Sequence, residues 1–213
     1  RFTPTTEAIP FGAGPDFYAT QTWSDAPDDR RVAISWIFKW GYGAGTNDGV
    51  IANPFPTGPI AGGSMGIPSE LSLVTTDAGL RLRQEPVREM ANLAAKTTTR
   101  NAIAVEKGTA SPLSELGVAC CDVGMKLTVP AGATLILLLA TIGGQSVDLA
   151  IDNREQVLVI DRRHCVIDGT TGYSERFAAP LCIGTDGRVS LRLLIDRSVL
   201  EIFADDGRTM MSA

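Results

Sequence analysis

The stretch LSLVTTDAGLRLRQ, residues 71–84, contains the pattern that decides the fold class. Its two ends, Leu71–Val74 and Leu80–Gln84, alternate apolar with polar side chains, and this alternation is typical of half-buried β-strands. Between them, Thr76–Gly79 contains Asp and Gly, which favour a turn. The stretch therefore predicts two strands separated by a turn.

The same combination continues along the chain. Further strands are predicted at Arg31–Phe38, Met125–Val129 and Ala133–Ile142, and we interpret the last, which is apolar almost throughout, as a buried strand. Turn signals stand at residues 26–29, 130–132, 185–187 and 205–207. Only Pro86–Lys96 has helix-forming composition. The chain is therefore predicted to be all-β and antiparallel, of the sandwich, barrel or propeller kind.

The two halves of the chain differ in composition. Residues 1–85 are rich in aromatics, Gly and Pro, and they include the long loop Gly41–Met65, whereas residues after 100 alternate strands with tight turns. This change predicts a boundary between Pro86 and Asn101. The related segments LVIDR, residues 158–162, and LLIDR, residues 193–197, predict two similar strands of one sheet.

Composition excludes several classes of function. The 213 residues are 44% hydrophobic and 20% charged, which is ordinary for a globular protein with a sizeable core. A net charge of -5 without clustered Lys or Arg argues against a nucleic-acid partner. No membrane partner is predicted either, because the longest apolar run, Ala133–Ile142, is about half of the roughly 20 residues that a spanning helix needs.

The spacing of the cysteines and the histidine predicts no metal site. Cys120 and Cys121 are adjacent while Cys165 and Cys182 are far apart, and this spacing fits no zinc motif, so we predict neither a metal nor a cofactor. Free thiols on strands are favoured, with a disulfide as the open alternative. His164 beside Cys165 is interpreted as a surface histidine rather than half of a catalytic pair.

Near the start, GPDFYATQTW, residues 14–23, sets a carboxylate against aromatics after a Gly-Pro corner, as in the wall of a ligand pocket. This stretch and four others, in order, resemble glycoside hydrolase family 32, the family of invertases, inulinases and levanases. The five segments are DFYATQTW (16–23), RRVAISW (30–36) with Trp40 after it, MGIPSELSL (65–73), LRLRQEPVRE (80–89) and LIDRSVLEIF (194–203) with DGR at 206–208. Five matches in order are specific, although each alone would be weak.

The resemblance implies a five-bladed β-propeller followed by a β-sandwich. The expected domains are the C-terminal part of the propeller at residues 1–90, a linker at 91–100, and the sandwich at 101–213, incomplete at its C-terminus. The first four segments would form the last two blades of the propeller. The chain is therefore expected to be a fragment whose partner is the missing N-terminal propeller segment.

The family's catalytic motifs do not occur in the sequence. Retaining glycosidases need two carboxyl groups about 5–5.5 Å apart. In the family these carboxylates, with a third that assists them, belong to W-M-N-D-P-N-G, R-D-P and E-C segments, and none of the three is present. Spacing supports neither Asp16 with Glu70 nor Asp196 with Glu201 as a substitute pair. We therefore predict no catalytic residue here and no activity for the chain alone.

Three residues are predicted to contact substrate by resemblance: Asp16, Tyr18 and Trp40. A carboxylate accepts hydrogen bonds from sugar hydroxyls, and an aromatic ring stacks on a sugar face. The alternatives are that Asp16 caps the turn after Pro15 and that Trp40, like Trp36, lies in the core. The stretch at 59–64 lacks the tryptophan that many family members place there, and Ser69 replaces their arginine.

The resemblance implies a secreted β-fructofuranosidase that acts on a fructan or sucrose-type carbohydrate. The departures at residues 59–64 and 69 leave other possibilities open: an endo-acting fructanase, a fructosyltransferase, or a relative without activity. A non-catalytic carbohydrate-binding or scaffolding module is the alternative from a different class. Extracellular location is inferred from the family alone.

Overall fold

The computed structural model describes residues 8–39, 50–51, 60–61, 63–106, 120–140, 144–165, 174–197 and 199–213. Fifteen strands run from β1 to β15 in these segments. They are β1 (Phe17–Thr22), β2 (Arg31–Ile37), β3 (Val50–Ile51), β4 (Ile60–Ala61), β5 (Ser64–Met65), β6 (Ser69–Thr76), β7 (Gly79–Pro86), β8 (Cys120–Thr128), β9 (Thr134–Ala140), β10 (Ser146–Asp152), β11 (Val157–Asp161), β12 (Arg176–Pro180), β13 (Arg188–Asp196), β14 (Val199–Ala204) and β15 (Thr209–Ser212). The prediction of an all-β chain is confirmed.

The N-terminal strands form one antiparallel sheet. Its order is β1-β2-β6-β7, so that consecutive long strands are neighbours, and β5 pairs with the end of β2. The short strands β3 and β4 pair only with each other among the described residues. The described long strands form one antiparallel meander, which β5 extends, and the β3–β4 hairpin is separate from it. The division of this region into two propeller blades stays a prediction.

The C-terminal strands form a two-layer sandwich. One sheet has the order β12-β11-β10-β9 and the other β15-β14-β13-β8. Their facing sides enclose the main core, which includes Leu149, Leu158, Ile160, Leu193 and Ile202. The similar segments at 158–162 and 193–197 therefore lie in different sheets, and the prediction that they share one sheet is wrong. Each contributes apolar side chains to the common core, which explains their likeness.

Strand β9 corrects a second expectation. It was predicted to be buried, but Ile136 is 58% and Leu138 66% exposed, while Leu135 and Leu137 pack on the sandwich core. The strand belongs to one of the two sandwich layers, so Leu135 and Leu137 on its inner face pack on the core, whereas Ile136 and Leu138 on its outer face meet solvent. An apolar run alone does not reveal this arrangement.

The N-terminal sheet packs on the outer face of the β15-β14-β13-β8 sheet, so the molecule has three layers. Leu194, Phe203 and Met210 from the sandwich meet Phe17 and Ile67 from the N-terminal sheet. The segment before β1 also pairs with β15, where the Ala13 and Ser212 amides donate hydrogen bonds of 2.8 and 3.1 Å. This contact between the second and third layers positions the candidate site.

The connection between the two parts begins as a short 3-10 helix, Arg88–Leu93, within the segment that has helix-forming composition. A second 3-10 turn, Pro27–Asp29, lies between β1 and β2. Residues 94–106 form neither helix nor strand. The division at 1–90, 91–100 and 101–213 stays a prediction. Among the described residues no helix has the length and apolar character to cross a membrane.

Candidate functional site

The face of the N-terminal sheet that points away from the sandwich carries aromatic side chains. Register places Phe17 opposite Ile37 and Tyr18 opposite Trp36. Because neighbouring residues of a strand point to opposite faces, Phe17 lies against the sandwich and Tyr18 on the far side. Met65 of β5 pairs with Trp36. We call Tyr18, Trp36 and Met65 the aromatic face.

The aromatic face is open to solvent at its two ends. Tyr18 is 47% and Met65 61% exposed, and Trp36 between them is half-buried. The Tyr18 and Trp36 rings lie 6.2 Å apart, and Trp36 stacks on Phe38 at 4.3 Å with nearly parallel planes. Such a surface offers flat apolar rings to a ligand.

Gly63 allows the chain to approach Trp36 closely. A Cβ at this position would lie 2.8 Å from the indole Nε1 and 2.5 Å from the Ile37 carbonyl oxygen, and its φ of +79° favours glycine. Gly63, which lies inside the predicted long loop Gly41–Met65, therefore fixes one edge of the aromatic face. The backbone amide of Gly66 adds a hydrogen bond of 2.8 Å to the Ser35 carbonyl.

Asp16 does not belong to the aromatic face. Its side chain is buried between the two parts of the molecule, where Arg162 Nη1 donates to Oδ2 at 2.8 Å. The Arg162 guanidinium also lies 5.2 Å from the centre of the Phe177 ring. Burial raises the pKa of Asp16, and the neighbouring Arg162 opposes that rise. Its Oδ1 is buried and has no hydrogen-bond donor among the described residues.

The three predicted substrate contacts are thus not brought together. Tyr18 lies on the aromatic face, Asp16 lies in the contact with the sandwich, and Trp40 lies outside the described residues. Trp36, interpreted from sequence as a core residue, forms the centre of the aromatic face. Substrate contact by Asp16, Tyr18 and Trp40 stays a prediction.

Glu201, which was considered from sequence only as half of an unsupported pair with Asp196, is a buried carboxylate. It lies on β14, is 3% exposed, and accepts the Ile67 N–H at 3.1 Å with Oε1 and 2.9 Å with Oε2. Burial raises the pKa of Glu201 to about 7, against the opposing effect of the Ile67 hydrogen bond. A glutamate inside the otherwise apolar run VLEIFA was the signal available in the sequence.

The substitute catalytic pairs considered from sequence are held apart by different partners. Arg162 pairs with Asp16, whereas Arg30 pairs with Glu70 at 2.8 Å and with Glu89 at 2.9 Å. Asp196 pairs in register with Val199, two residues before Glu201, and its carboxylate accepts the Cys120 thiol at 3.1 Å, whereas Glu201 accepts the Ile67 N–H. Neither pair is arranged around a common open space.

The concave features of the described residues include a small cavity and an open groove. A cavity of about 10 Å³ lies in the contact between the N-terminal sheet and the sandwich, which leaves no room for a sugar. An open groove of about 340 Å³ is lined by Val74, Thr75, Thr76, Arg83, Asp206 and Arg208. No group of three or more metal-ligating side chains is found in the described segments, and Cys120, Cys121, Cys165 and Cys182 are free thiols.

Two family profiles together match the whole chain. The profile described as "Glycosyl hydrolases family 32 N-terminal domain" matches residues 1–86, and "Glycosyl hydrolases family 32 C terminal" matches residues 80–213. These overlapping matches follow the order of the five segments noted in the sequence.

Curated relatives and solved structures agree with these matches. The levanase of Bacillus subtilis (strain 168) is 29% identical over an alignment of 216 residues that covers 93% of this chain and 29% of the levanase. The extracellular exo-inulinase of Aspergillus awamori is 27% identical over an alignment of 207 residues that covers 94% of this chain and 36% of the relative. The chain spans about a third of the length of these relatives.

The exo-inulinase crystal structure from Aspergillus awamori superposes with a TM-score of 0.73 at 23% identity, and the match covers 95% of this chain and 38% of that one. A fructosyltransferase structure from A. japonicus gives a TM-score of 0.63 at 19% identity, over 95% of this chain and 40% of that one. At these identities the superpositions show the fold.

Proposed function

Because the chain belongs to glycosyl hydrolase family 32, we propose that it is the C-terminal part of a secreted β-fructofuranosidase that hydrolyses fructosyl linkages in fructans or sucrose. In this proposal the N-terminal sheet is the end of a five-bladed propeller. The nucleophile and the acid/base belong to an upstream propeller segment, and the chain alone is inactive.

The exposed aromatic face carries the proposal. The sandwich covers the part of one face that carries Phe17 and Ile67, whereas Tyr18 and Met65 on the other face are about half exposed or more. An apolar surface of this kind marks a binding region. We propose that the upstream segment and the sugar together occupy this side, with Tyr18 at the sugar.

The proposed substrate contacts differ in what supports them. Tyr18 is supported by its exposed ring beside Trp36. Trp40 is supported by its place in the sequence, three residues after the end of β2, the strand that carries Trp36. Asp16 is supported only by its unpartnered buried oxygen Oδ1, because its other oxygen is occupied by Arg162. We propose that a donor from the upstream segment or the sugar meets Oδ1 in the complete ring.

Turnover of sucrose, inulin and levan tests the proposal. The pure 213-residue chain is expected to release no fructose, and the chain joined to the upstream segment encoded with it is expected to release fructose. Turnover by the short chain would overturn the placement of the catalytic carboxylates upstream. No turnover by the joined protein, with sugar binding retained, would favour the non-catalytic carbohydrate-binding module.

Two variants test whether the sugar contacts the aromatic face rather than another part of the surface. Tyr18→Ala in the joined protein is expected to raise KM for the fructan about tenfold, because loss of one stacked ring removes on the order of 1 kcal/mol or more. Leu73→Ala is the matched control, since Leu73 is 68% exposed and lies on the other face of the sheet. Equal effects from both variants would contradict a sugar contact at Tyr18.

A further inference from the structure

We propose that Glu201 is a positioning residue: from the sandwich it fixes the Met65–Pro68 loop, and through that loop it holds the aromatic face in place for the sugar. The part that concerns sugar rests on the proposed function. The part that concerns the loop rests on contacts within the chain itself.

The Met65–Pro68 loop is fixed at three backbone points. Two of them come from the loop's own sheet, where the Gly66 N–H donates to the Ser35 carbonyl at 2.8 Å and the Val87 N–H donates to the Pro68 carbonyl at 2.9 Å. The third comes from the sandwich, where both carboxylate oxygens of Glu201 accept the Ile67 N–H. Glu201 is thus the sandwich's hydrogen-bonding contact to the middle of this loop.

Close packing leaves the Glu201 carboxylate little freedom. A Cβ on Gly66 would lie 3.0 Å from Glu201 Oε1 and 3.0 Å from Ser35 Oγ, so the loop backbone passes directly over the carboxylate. The Ile67 side chain packs beside it on Leu194 and Phe203. A side chain that is 3% exposed and covered in this way holds one orientation.

The loop leads straight into the aromatic face. Met65 pairs with Trp36, and Met65 stands two residues before the amide that Glu201 accepts. A displacement at Ile67 therefore moves Met65 relative to Trp36, and with it the surface next to Tyr18. This connection is how a residue of the sandwich acts on the other side of the sheet.

The surroundings of Glu201 contain no cation among the described residues. Its neighbours include Gly66 and the Ile67 N–H from the Met65–Pro68 loop and its register partners, Ser212 on β15 and Leu194 on β13. None of the ion pairs found in the described segments includes Glu201. With a pKa raised to about 7 by burial, the carboxylate changes charge near neutral pH, and the Ile67 amide reports that change.

Amide NMR of the 213-residue chain tests the loop. In the wild type the Ile67 amide shift is expected to titrate with a midpoint near 7, because its acceptor ionises there. Glu201→Gln keeps a carbonyl acceptor and is expected to abolish that titration while Ile67 stays protected. Glu201→Leu removes the acceptor and is expected to speed hydrogen exchange at Ile67 about tenfold or more.

The Trp23 amide is the internal control, because its acceptor at 2.9 Å, the Val32 carbonyl, lies on β2 of the same sheet and outside the Met65–Pro68 loop. Its exchange is expected to change less than that of Ile67 in Glu201→Leu. Equal acceleration at both amides would show general loosening and overturn the proposal. An Ile67 amide that neither titrates nor exchanges faster in Glu201→Leu would overturn it as well.

Kinetics of the joined protein test the connection to the sugar. Glu201→Leu is expected to raise KM for the fructan several-fold with a smaller change in kcat, and Glu201→Gln to restore the wild-type KM. Unchanged KM in an active Glu201→Leu enzyme would overturn the positioning of the aromatic face for sugar. If the wild-type joined protein has no fructosyl activity, the proposed function fails, and the exchange result alone decides whether Glu201 positions the loop.

Discussion

Asp16 and Glu201 are both buried in the contact between the N-terminal sheet and the sandwich, but different groups compensate their charge. Asp16, on the N-terminal side, is 5% exposed and pairs with Arg162 of the sandwich. Glu201, on the sandwich side, is 3% exposed, and its partner among the described residues is the backbone N–H of Ile67. Each part of the molecule therefore contributes one carboxylate to the contact, and the opposite part supplies the group that binds this carboxylate.

The difference shows what a cation does for a buried carboxylate. Burial raises the pKa of both groups, but Arg162 opposes the rise at Asp16 through its charge and its hydrogen bond, whereas only a backbone amide opposes it at Glu201. The stability of the contact at Asp16 therefore depends on keeping both partners of the ion pair. The stability of the contact at Glu201 depends on pH.

Breaking the Arg162–Asp16 ion pair is expected to have the largest effect on the free energy of unfolding. Arg162→Met leaves Asp16 buried without its cation, and loss of one partner of a buried pair costs roughly 3–5 kcal/mol in the free energy of unfolding. Urea denaturation at neutral pH measures this loss. Arg163→Met is the matched control, because Arg163 is exposed and pairs with Asp161 at the surface, where such pairs contribute about 1 kcal/mol or less. Equal losses in the two variants would contradict the ion pair's importance.

The next largest effect on the free energy of unfolding is expected from the ionisation of Glu201 as the pH rises. Its pKa rises from 4.5 to about 7 on folding, so its contribution to stability is fully present below pH 4.5 and is lost as pH rises through 7. The free energy of unfolding should fall by about 3 kcal/mol across this window on account of Glu201. Urea titrations at pH 4.5 and 8 are expected to show this fall in the wild type and a smaller one in Glu201→Gln. Parallel pH profiles for the two proteins would refute it.

A smaller loss of stability is expected when the loop backbone next to Glu201 is altered at Gly66. Gly66→Ala places a methyl group 3.0 Å from Glu201 Oε1 and from Ser35 Oγ, and overpacking of this kind costs about 1–3 kcal/mol. The loss should shrink when Ser35→Gly is combined with it, since one of the two close atoms is then absent. Thermal or urea unfolding of the single and double variants measures the coupling. Strict additivity would mean that the methyl group is accommodated elsewhere.

The smallest effect on stability is expected at the aromatic face. Tyr18→Ala in the 213-residue chain should change the free energy of unfolding by less than about 0.5 kcal/mol beyond the loss of strand propensity, because the ring is 47% exposed. Its neighbour Phe17, which packs between the sheets, should cost about 3 kcal/mol or more when replaced by alanine. A similar cost for both would mean that the aromatic face is part of the core.

Much of the fold could be predicted from local patterns. Residues 71–84 form the β6–β7 hairpin as expected, and the turn signals at 185–187 and 205–207 lie at strand connections. The segments that resemble the family have the same order in the family profiles. The covered and open faces of β9, and the assignment of residues 158–162 and 193–197 to separate sheets, could not be read from the same patterns.

The sequence by itself determined strands, turns, the absence of the family's catalytic motifs, and membership of the family, because each depends on neighbouring residues or on short motifs in order. Only the tertiary structure decided the roles of Asp16 and Glu201. Their partners lie 146 and 134 residues away along the chain, and a carboxylate's burial and pKa depend on what surrounds it in space. For that reason Asp16, predicted at a sugar site, is found in an ion pair, and Glu201, considered from sequence only as half of an unsupported catalytic pair, is found bound to the backbone of the Met65–Pro68 loop beside the aromatic face.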